Sequence, residues 1–580
     1  MTIVDFLDCT NLENVNIVNC PDLNLFQSRH SKFTTVNLTG TSNITIMQFY
    51  DGFLTALDLS AMHRLESLSI TNNPITNLSI KNGSRETLVI TNLPLLGYIC
   101  ADAEEITDVR QAAGGAPVIN SYCTFTPGGG FNTITGKLQF DNDNNVCNSD
   151  PVLPLMKVKL TESSGTSREV FTRNLGNYTF YTQAGDYTIQ TDFENPAYFI
   201  TTPQNAMINF PAPEDLIQTQ NFCITANGNH PDTEIAMVEL SAARPGFEIL
   251  YKISFKNKGN KTSNGTITFD FDGDLVDFVS TSYPGFSIIP NRLIFNYTNL
   301  IPFENREITI QMRIHSPVEI SPVNIGDILN FTATINTVDT DEIPADNVFM
   351  FNQKVTGAFD PNNKICLEGE IVAPENIGKY LHYNINFENT GNADAENVVI
   401  SDRIDPTKFD IKSLQILNSS HPVNIKTEGN IIEFIYENIN LPPSISSPIG
   451  GHGNVLFKIK TNPNLSAGDT VENTANIYFD YNAPITTNEA KTTFEVLSSQ
   501  QFETDSSVKV SPNPAKDRLL IHSDNTIKSV QLFDIQGRIL QTVLENKKES
   551  ILNIASQSTG IYFLKINTEK GSKVEKIIKE

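Results

Sequence analysis

Asp141, Asp143, Asn145 and Asp150 alternate along one loop of the chain, Phe140-Asp-Asn-Asp-Asn-Asn-Val-Cys-Asn-Ser-Asp150. Oxygen ligands at alternating positions suit Ca²⁺, and Ca²⁺ is the one cofactor these residues suggest. The loop lacks the sixth-position glycine and twelfth-position glutamate of an EF-hand. An Asx-rich turn, in which the side chains bond their own backbone, is the preferred reading, with the Ca²⁺ site as its alternative. A second carboxylate cluster, Asp270-Phe-Asp272-Gly-Asp274, closes a strand. Two such groups can share acid and base work, but the chain has no Trp and no aromatic sugar platform, so a solvated turn is expected. Eight histidines are scattered with no zinc-ligand spacing, and seven cysteines show none either. Nucleophile-elbow, phosphate-loop and dinucleotide fingerprints are missing. The expectation is a protein that is not an enzyme.

The elements that carry these residues are strands. The chain has 580 residues, room for about four domains of ~100–200 residues each. Thr, Val, Ile, Phe, Tyr and Asn are plentiful and helical stretches scarce, which points to a mainly β chain of many short strands. A net charge of −25 leaves no basic stripe for phosphates, so nucleic acid is excluded as a partner. No apolar run is long enough to span a bilayer, so no transmembrane segment is expected. Met1 to Phe6 lacks the basic start and apolar core of a signal peptide, and the expectation is a true start upstream of Met1, or a fragment.

Residues 1–122 are repetitive. Leu12-x-x-Val15-x-Ile17, Phe33-x-x-Val36-x-Leu38, Leu54-x-x-Leu57-x-Leu59 and Ile75-x-x-Leu78-x-Ile80 recur every 21 residues, with a second apolar set half a period later. Each coil then carries two short extended segments with apolar side chains stacked inward. The pattern resembles the short leucine-rich repeats of bacterial surface proteins and implies a solenoid. The first coil starts near Met1 without a polar cap, which fits a truncated start. Such a face either binds a protein or glycan ligand or only spaces what it carries. A short helix is expected at Asp108 to Ala113. A Cys100–Cys123 bridge would close the open end of the ladder, worth ~3–4 kcal/mol in the chain-entropy model.

Residues 131–228 carry the Asp141–Asp150 loop early, then Gly176-Asn-Tyr178-Thr-Phe180 and Gly185-Asp-Tyr187-Thr-Ile189. This set resembles the prealbumin-like B-type stalk domains of bacterial adhesins. Cys147 and Cys223 stand at the two ends of the module and are matched as partners. Cys9 and Cys20 read as small buried hydrophobes, and Cys366 is left over.

Residues 232–357 and 358–497 read as two copies of one Ig-like sandwich. Tyr251-Lys-Ile253-Ser-Phe255-Lys-Asn257-Lys-Gly259 parallels Tyr383-Asn-Ile385-Asn-Phe387-Glu-Asn389-Thr-Gly391, and Gly326-Asp327 to Ala333 parallels Gly468-Asp469 to Ala475. Strict alternation buries one face. Gly357-Ala-Phe-Asp360-Pro-Asn362 with Ile477-Tyr-Phe-Asp480-Tyr-Asn482-Ala-Pro484 makes the second copy resemble an uncharacterised conserved repeat domain found before secretion sorting domains. Asp360, Asn362, Asp480 and Asn482 are read as polar turn chemistry at strand ends, a metal or inter-domain site being the alternative.

Residues 507–580 alternate apolar runs with turns: Ser511-Pro-Asn-Pro514, Val530-x-Leu532-x-Asp534-x-x-Gly537-Arg538, Gly560-Ile-Tyr-Phe-Leu-Lys-Ile566 and Lys576-Ile-Ile-Lys579. Composition and spacing predict a small sandwich of about seven strands. The ordered motifs resemble the type A C-terminal sorting domain of the type IX secretion system of Bacteroidetes. That resemblance implies recognition by the secretion machinery, passage through the periplasm to the outer surface or the medium, and attachment to lipopolysaccharide or release. Gly537 and Gly560, expected to shape turns, and Lys573, Lys576 and Lys579 on the last strand are its expected signal features. The whole chain thus reads as an N-terminal leucine-rich-repeat solenoid followed by a string of Ig-like and prealbumin-like β-sandwiches. The expected role is a secreted or surface binding protein. The alternatives are a non-catalytic tail of a larger hydrolase and a plain stalk.

Overall fold

The computed structural model describes residues 2–115, 117–143, 145–148, 150–357, 360–447, 450–495, 505–534 and 538–580. The chain forms two compact units, Met1–Glu495 and Val496–Glu580.

The 21-residue period becomes a ladder of parallel strands. Ile3–Leu7, Leu25–Arg29, Ile46–Tyr50, Ser67–Thr71 and Thr87–Thr91 pair in that order, with Ile3, Leu25, Ile46, Ser67 and Thr87 in register. A second parallel set, Ala56–Asp58, Asn77–Ser79, Tyr98–Cys100 and Val118–Asn120, lines another side. Phe26, Met47, Phe49, Leu68, Ile70, Leu57, Leu78 and Ile80 fill the space between. Each coil turns on a residue in the left-handed region: Asp8, His30, Asp51, Asn72 and Asn92, at φ between 50° and 53°. Asp, Asn and His tolerate that conformation because their short polar side chains bond locally. Here they also bond one another, Asn92 to Asn72 and Asn72 to Asp51, both at 2.5 Å. Asn73 staples the same turn, donating to Thr71 O at 2.9 Å and accepting from Leu54 N. The helix Ile106–Ala113 begins two residues before Asp108 and ends on Gly114 at φ 72°. Cys9 and Cys20 are half-buried, each thiol facing a carbonyl two residues back, and Cys20 packs against the ladder core while Cys9 does not.

The sandwiches are interlocked and not strung out. Lys157–Glu162, Ser167–Phe171, Gly185–Asp192 and Ala206–Phe210 form one layer of the 131–228 module. That layer continues into the 358–497 module, because Ser167–Phe171 pairs with Asn424–Glu428 to make a nine-stranded sheet. Side chains cross as well. Phe303 of the 232–357 module packs on Phe140, Phe193 and Phe199, and Leu417 and Leu456 enter the core of that same module.

The two related sandwiches match in detail. Tyr251, Ile253 and Phe255, and Tyr383, Ile385 and Phe387, are buried. Asn257 donates to Lys261 O and Leu300 O, both at 2.8 Å, and accepts from Gly259 N. Asn389 repeats this with Ala393 O, Leu441 O and Gly391 N. Asp360, Asn362, Asp480 and Asn482 each bond a backbone group at a strand end.

Where three modules meet, charge is buried. Lys458 pairs with Glu234 and sits 2.9 Å from Glu194, and Lys258 lies 3.4 Å from Glu194 and 2.5 Å from Asp346. The Tyr380 ring lies 4.4 Å from the Lys458 ammonium. Burial pushes the Glu234 carboxyl up, but the charges of Lys458, Lys258 and His382 with the Lys458 hydrogen bond together outweigh it and hold the group down at about 2.

In the terminal unit Lys509–Ser511, Arg518–Phe533, Ile539–Asn553, Gly560–Thr568 and Ser572–Lys579 form one five-stranded sheet in place of about seven short strands. Ser523-Asp-Asn-Thr526 is polar yet stays inside one strand, with register shifts either side of Ile527. The reason is Asp505, which accepts from Ser523 Oγ and Asn525 Nδ2 and so satisfies this polar stretch within the sheet.

Removing one partner of a buried ion pair strands the other charge. Lys458→Met should therefore cost about 3–5 kcal/mol, and adding Glu234→Leu should recover most of it, read by denaturant unfolding of the full chain.

Candidate functional site

The last strand is held in place by the loop that follows Lys509–Ser511, at the other end of the unit. The Asn513 side chain donates to Lys576 O at 2.7 Å and accepts from Ile578 N at 2.9 Å. Ala515 N donates to Ile578 O at 2.9 Å. With Val508, Leu519, Ile521, Val530, Leu532, Leu564, Ile566 and Ile577 buried on one side, the other side of Gly560–Thr568 and Ser572–Lys579 faces outward. There Ile561 stands opposite Ile578, Phe563 opposite Lys576, and Lys565 opposite Val574. Ile561, Phe563, Val574 and Ile578 are each at least 40 % exposed. An open face of paired apolar and basic side chains is the surface a protein partner would cover.

The expected signal residues divide. Lys576 is exposed. Lys573 donates to Val508 O at 2.8 Å, and Lys579 is buried and donates to Glu580 O at 2.7 Å, so these two serve the unit itself. Gly560 opens its strand with no left-handed φ and nothing closer than 3.9 Å to where a Cβ would stand. No local conformation there demands glycine, which corrects the expected turn-shaping role. Gly537 lies outside the described residues.

The Asp141 loop closes on itself. Asp141 accepts from Asn145 N and Val146 N, Asp143 from Asn145 N, and Asp150 from Asn142 N. One oxygen each of Asp141, Asp143 and Asp150 lies within 4.8 Å of the others, close enough to share a cation. Asn145 presents its amide nitrogen to Asp143 at 2.5 Å and acts there as a donor. The loop is fastened by the Cys147–Cys223 disulfide, Cα–Cα 5.6 Å, and Cys100–Cys123 is bonded likewise at 6.0 Å. Cys366 is free and buried. Asp270 pairs with Arg292, and Asp272 caps Asp274 N, so that cluster is engaged as a turn.

A cleft of about 540 Å³ runs between the ladder and the 358–497 module, lined by Asp58, His63, Lys81, Tyr98, Thr124 and Tyr481. Tyr98 and Tyr481 meet at 5.0 Å although their modules lie far apart in sequence, and Tyr481 is 56 % exposed. Lys81 donates to Ser121 O and Thr124 O at 2.8 Å, and burial lowers its ammonium to about 8.

Residues 509–580 match a family described as a secretion system C-terminal sorting domain, and residues 360–493 match a domain of unknown function (DUF7619). No curated protein matches the chain. Among solved structures it is similar to the major pilin subunit BcpA of Bacillus cereus, at 10 % identity over 64 % of this chain and 94 % of that one, TM-score 0.17. It is also similar to the collagen adhesin of S. aureus, at 14 % identity over 46 % and 92 %, TM-score 0.17. The RrgB pilus protein of Streptococcus pneumoniae aligns at 9 % identity over 77 % and 93 %, TM-score 0.17. At such scores the likeness carries no argument about this chain. Among the described residues no helix is long and apolar enough to cross a membrane. The sorting domain marks a secreted or cell-surface protein.

Asp505 links the terminal unit's stability to pH. It is buried and accepts from Ser507 N and Oγ, Ser523 Oγ, Asn525 Nδ2 and Thr568 Oγ1. Burial pushes its carboxyl up, and these hydrogen bonds outweigh that and hold it well below the usual range. A lowered folded value means that its stabilisation is complete above the unfolded value near ~3.9 and is lost as pH falls below it. Asp505→Ala should cost about 2–3 kcal/mol at neutral pH and flatten the loss of stability below pH ~4, read by thermal unfolding of the unit across pH.

Proposed function

We propose that this chain is a non-enzymatic binding protein of the outer cell surface, exported by the type IX secretion machinery through its terminal unit. The sorting-domain match over 509–580 carries this reading. The outward face of Ile561, Phe563, Val574, Lys576 and Ile578 is what the machinery reads, since the opposite face is spent on the core. The ladder is a leucine-rich-repeat solenoid and the 131–228 module a prealbumin-like B-type stalk. The 21-residue period with parallel pairing supports the first, and the two-layered sheet with its Gly-x-Tyr strands supports the second. Presentation of the ladder by an interlocked base gives a protein or glycan ligand a rigid cleft, floored by Tyr98 and Tyr481, where aromatic side chains concentrate binding energy.

The test is export and adhesion measured separately in a type IX-competent bacterium, with the chain placed behind a leader peptide. Phe563→Glu with Ile578→Glu should cut surface and medium signal by about tenfold or more while the unit's thermal unfolding stays unchanged. Tyr481→Ala should leave export intact and lower cell adhesion. Full export of the double variant, or of a chain lacking 507–580, would refute the sorting-face reading.

A further inference from the structure

Lys364 and Asp402 are both fully buried in the core of the 358–497 module, and the ammonium of one touches the carboxylate of the other. They belong to opposite layers. Lys364 lies on Lys364–Cys366, in the four-stranded sheet with Tyr380–Glu388, His452–Thr461 and Phe409–Ser419. Asp402 lies on Val398–Arg403, in the nine-stranded sheet. The rings of Tyr383 and Phe457 wall the amine at 5.1 and 5.3 Å. The second Asp402 oxygen and the Tyr383 hydroxyl are buried with no hydrogen-bond partner. Burial lowers the Lys364 ammonium, against the pull of Asp402. In such surroundings a shift of the proton from nitrogen to oxygen removes two buried charges at once.

The fold does not need this pair. In the related 232–357 sandwich the partner of Ile253 on the first strand is Met237, as Lys364 is the partner of Ile385. The partner of Ala333 is Phe269, as Asp402 is the partner of Ala475. Met237 and Phe269 are fully buried and belong to the apolar core of their sandwich. The same two places are thus filled by hydrocarbon in one copy and by an amine and a carboxyl in the other. A buried ion pair seldom outperforms an apolar pair of similar volume, so stability of the pair as such gives little reason for the difference.

We propose that Lys364 and Asp402 condense to an amide that ties the two layers of this sandwich together. The Lys364 ammonium passes a proton to the Asp402 carboxylate, leaving a neutral amine beside a neutral acid. The nitrogen lone pair attacks Asp402 Cγ, a carbon–oxygen bond breaks, and that oxygen leaves as water with the acid proton and one amine hydrogen. Amine plus acid gives amide plus water, with no oxidant, reductant or further reactant. The link closes a loop of 38 residues within the sandwich.

The experiment is mass spectrometry of the full chain, made recombinantly, fully reduced and denatured. The expected mass is that of the sequence less one water. Tryptic digestion should leave Lys364 uncut and give a branched peptide that joins the segment of Lys364 to that of Asp402. Lys364→Met, the residue type of the related sandwich, should restore the full mass and lower the unfolding temperature of this module. Full mass with trypsin cutting after Lys364 in the wild-type chain would overturn the proposal. So would a missing water confined to Asp402 as a cyclic imide.

Discussion

Burial of charge at the meeting point of three modules is the constraint on which the Met1–Glu495 unit depends. Glu194, Glu234 and Lys458 come from three different sandwiches, and the buried Lys458 ammonium is compensated by carboxylates of the other two. Apolar packing alone would let sandwiches slide, because hydrophobic contact has no direction. A buried ammonium between two carboxylates has one geometry that works. The aromatic contacts of Phe303 and the shared nine-stranded sheet fix the same arrangement by independent means.

Much of this was legible in the sequence wherever one element determined its own neighbours. The ladder follows from apolar residues every 21 positions, since each coil stacks on the one before. The repeated Asn-x-Gly-Asn reads as a hairpin turn, but the strands on either side of its first copy belong to different sheets and Asn257 and Asn389 staple the crossing instead. The sorting domain follows from its ordered motifs. What stayed hidden is what depends on distant partners. Nothing local in Ser-Arg-Glu-Val-Phe171 announces that its edge is completed by Asn424–Glu428. Tyr98 and Tyr481 lie in no shared motif, and Asp505 precedes every recognisable strand of its unit yet decides that Ser523 to Thr526 remains in a sheet. Gly560 marks the opposite error, where a residue type suggested a strained turn that the backbone does not adopt.

The two related sandwiches separate what the fold requires from what each copy adds. The alternating aromatic and aliphatic strand and the asparagine staple occur in both, with the same hydrogen bonds. Tyr251 and Tyr383 occupy matching places, but only Tyr251 finds a buried partner for its hydroxyl, Gln353 at 2.5 Å. Divergence is therefore concentrated in the polar content of the cores, where each change alters chemistry without altering the framework.

The shared sheet has a consequence for synthesis. Ser167–Phe171 gains its outer neighbour from residues that leave the ribosome about 258 positions later, Glu169 meeting Thr427 across the seam. At translation rates of ~5–20 residues per second, that edge stays open for about 10–50 s. An unpaired strand edge is a template for any other extended chain nearby. The 131–228 module is therefore incomplete along that edge until the last sandwich has been made, and its finished form is a property of the whole Met1–Glu495 unit.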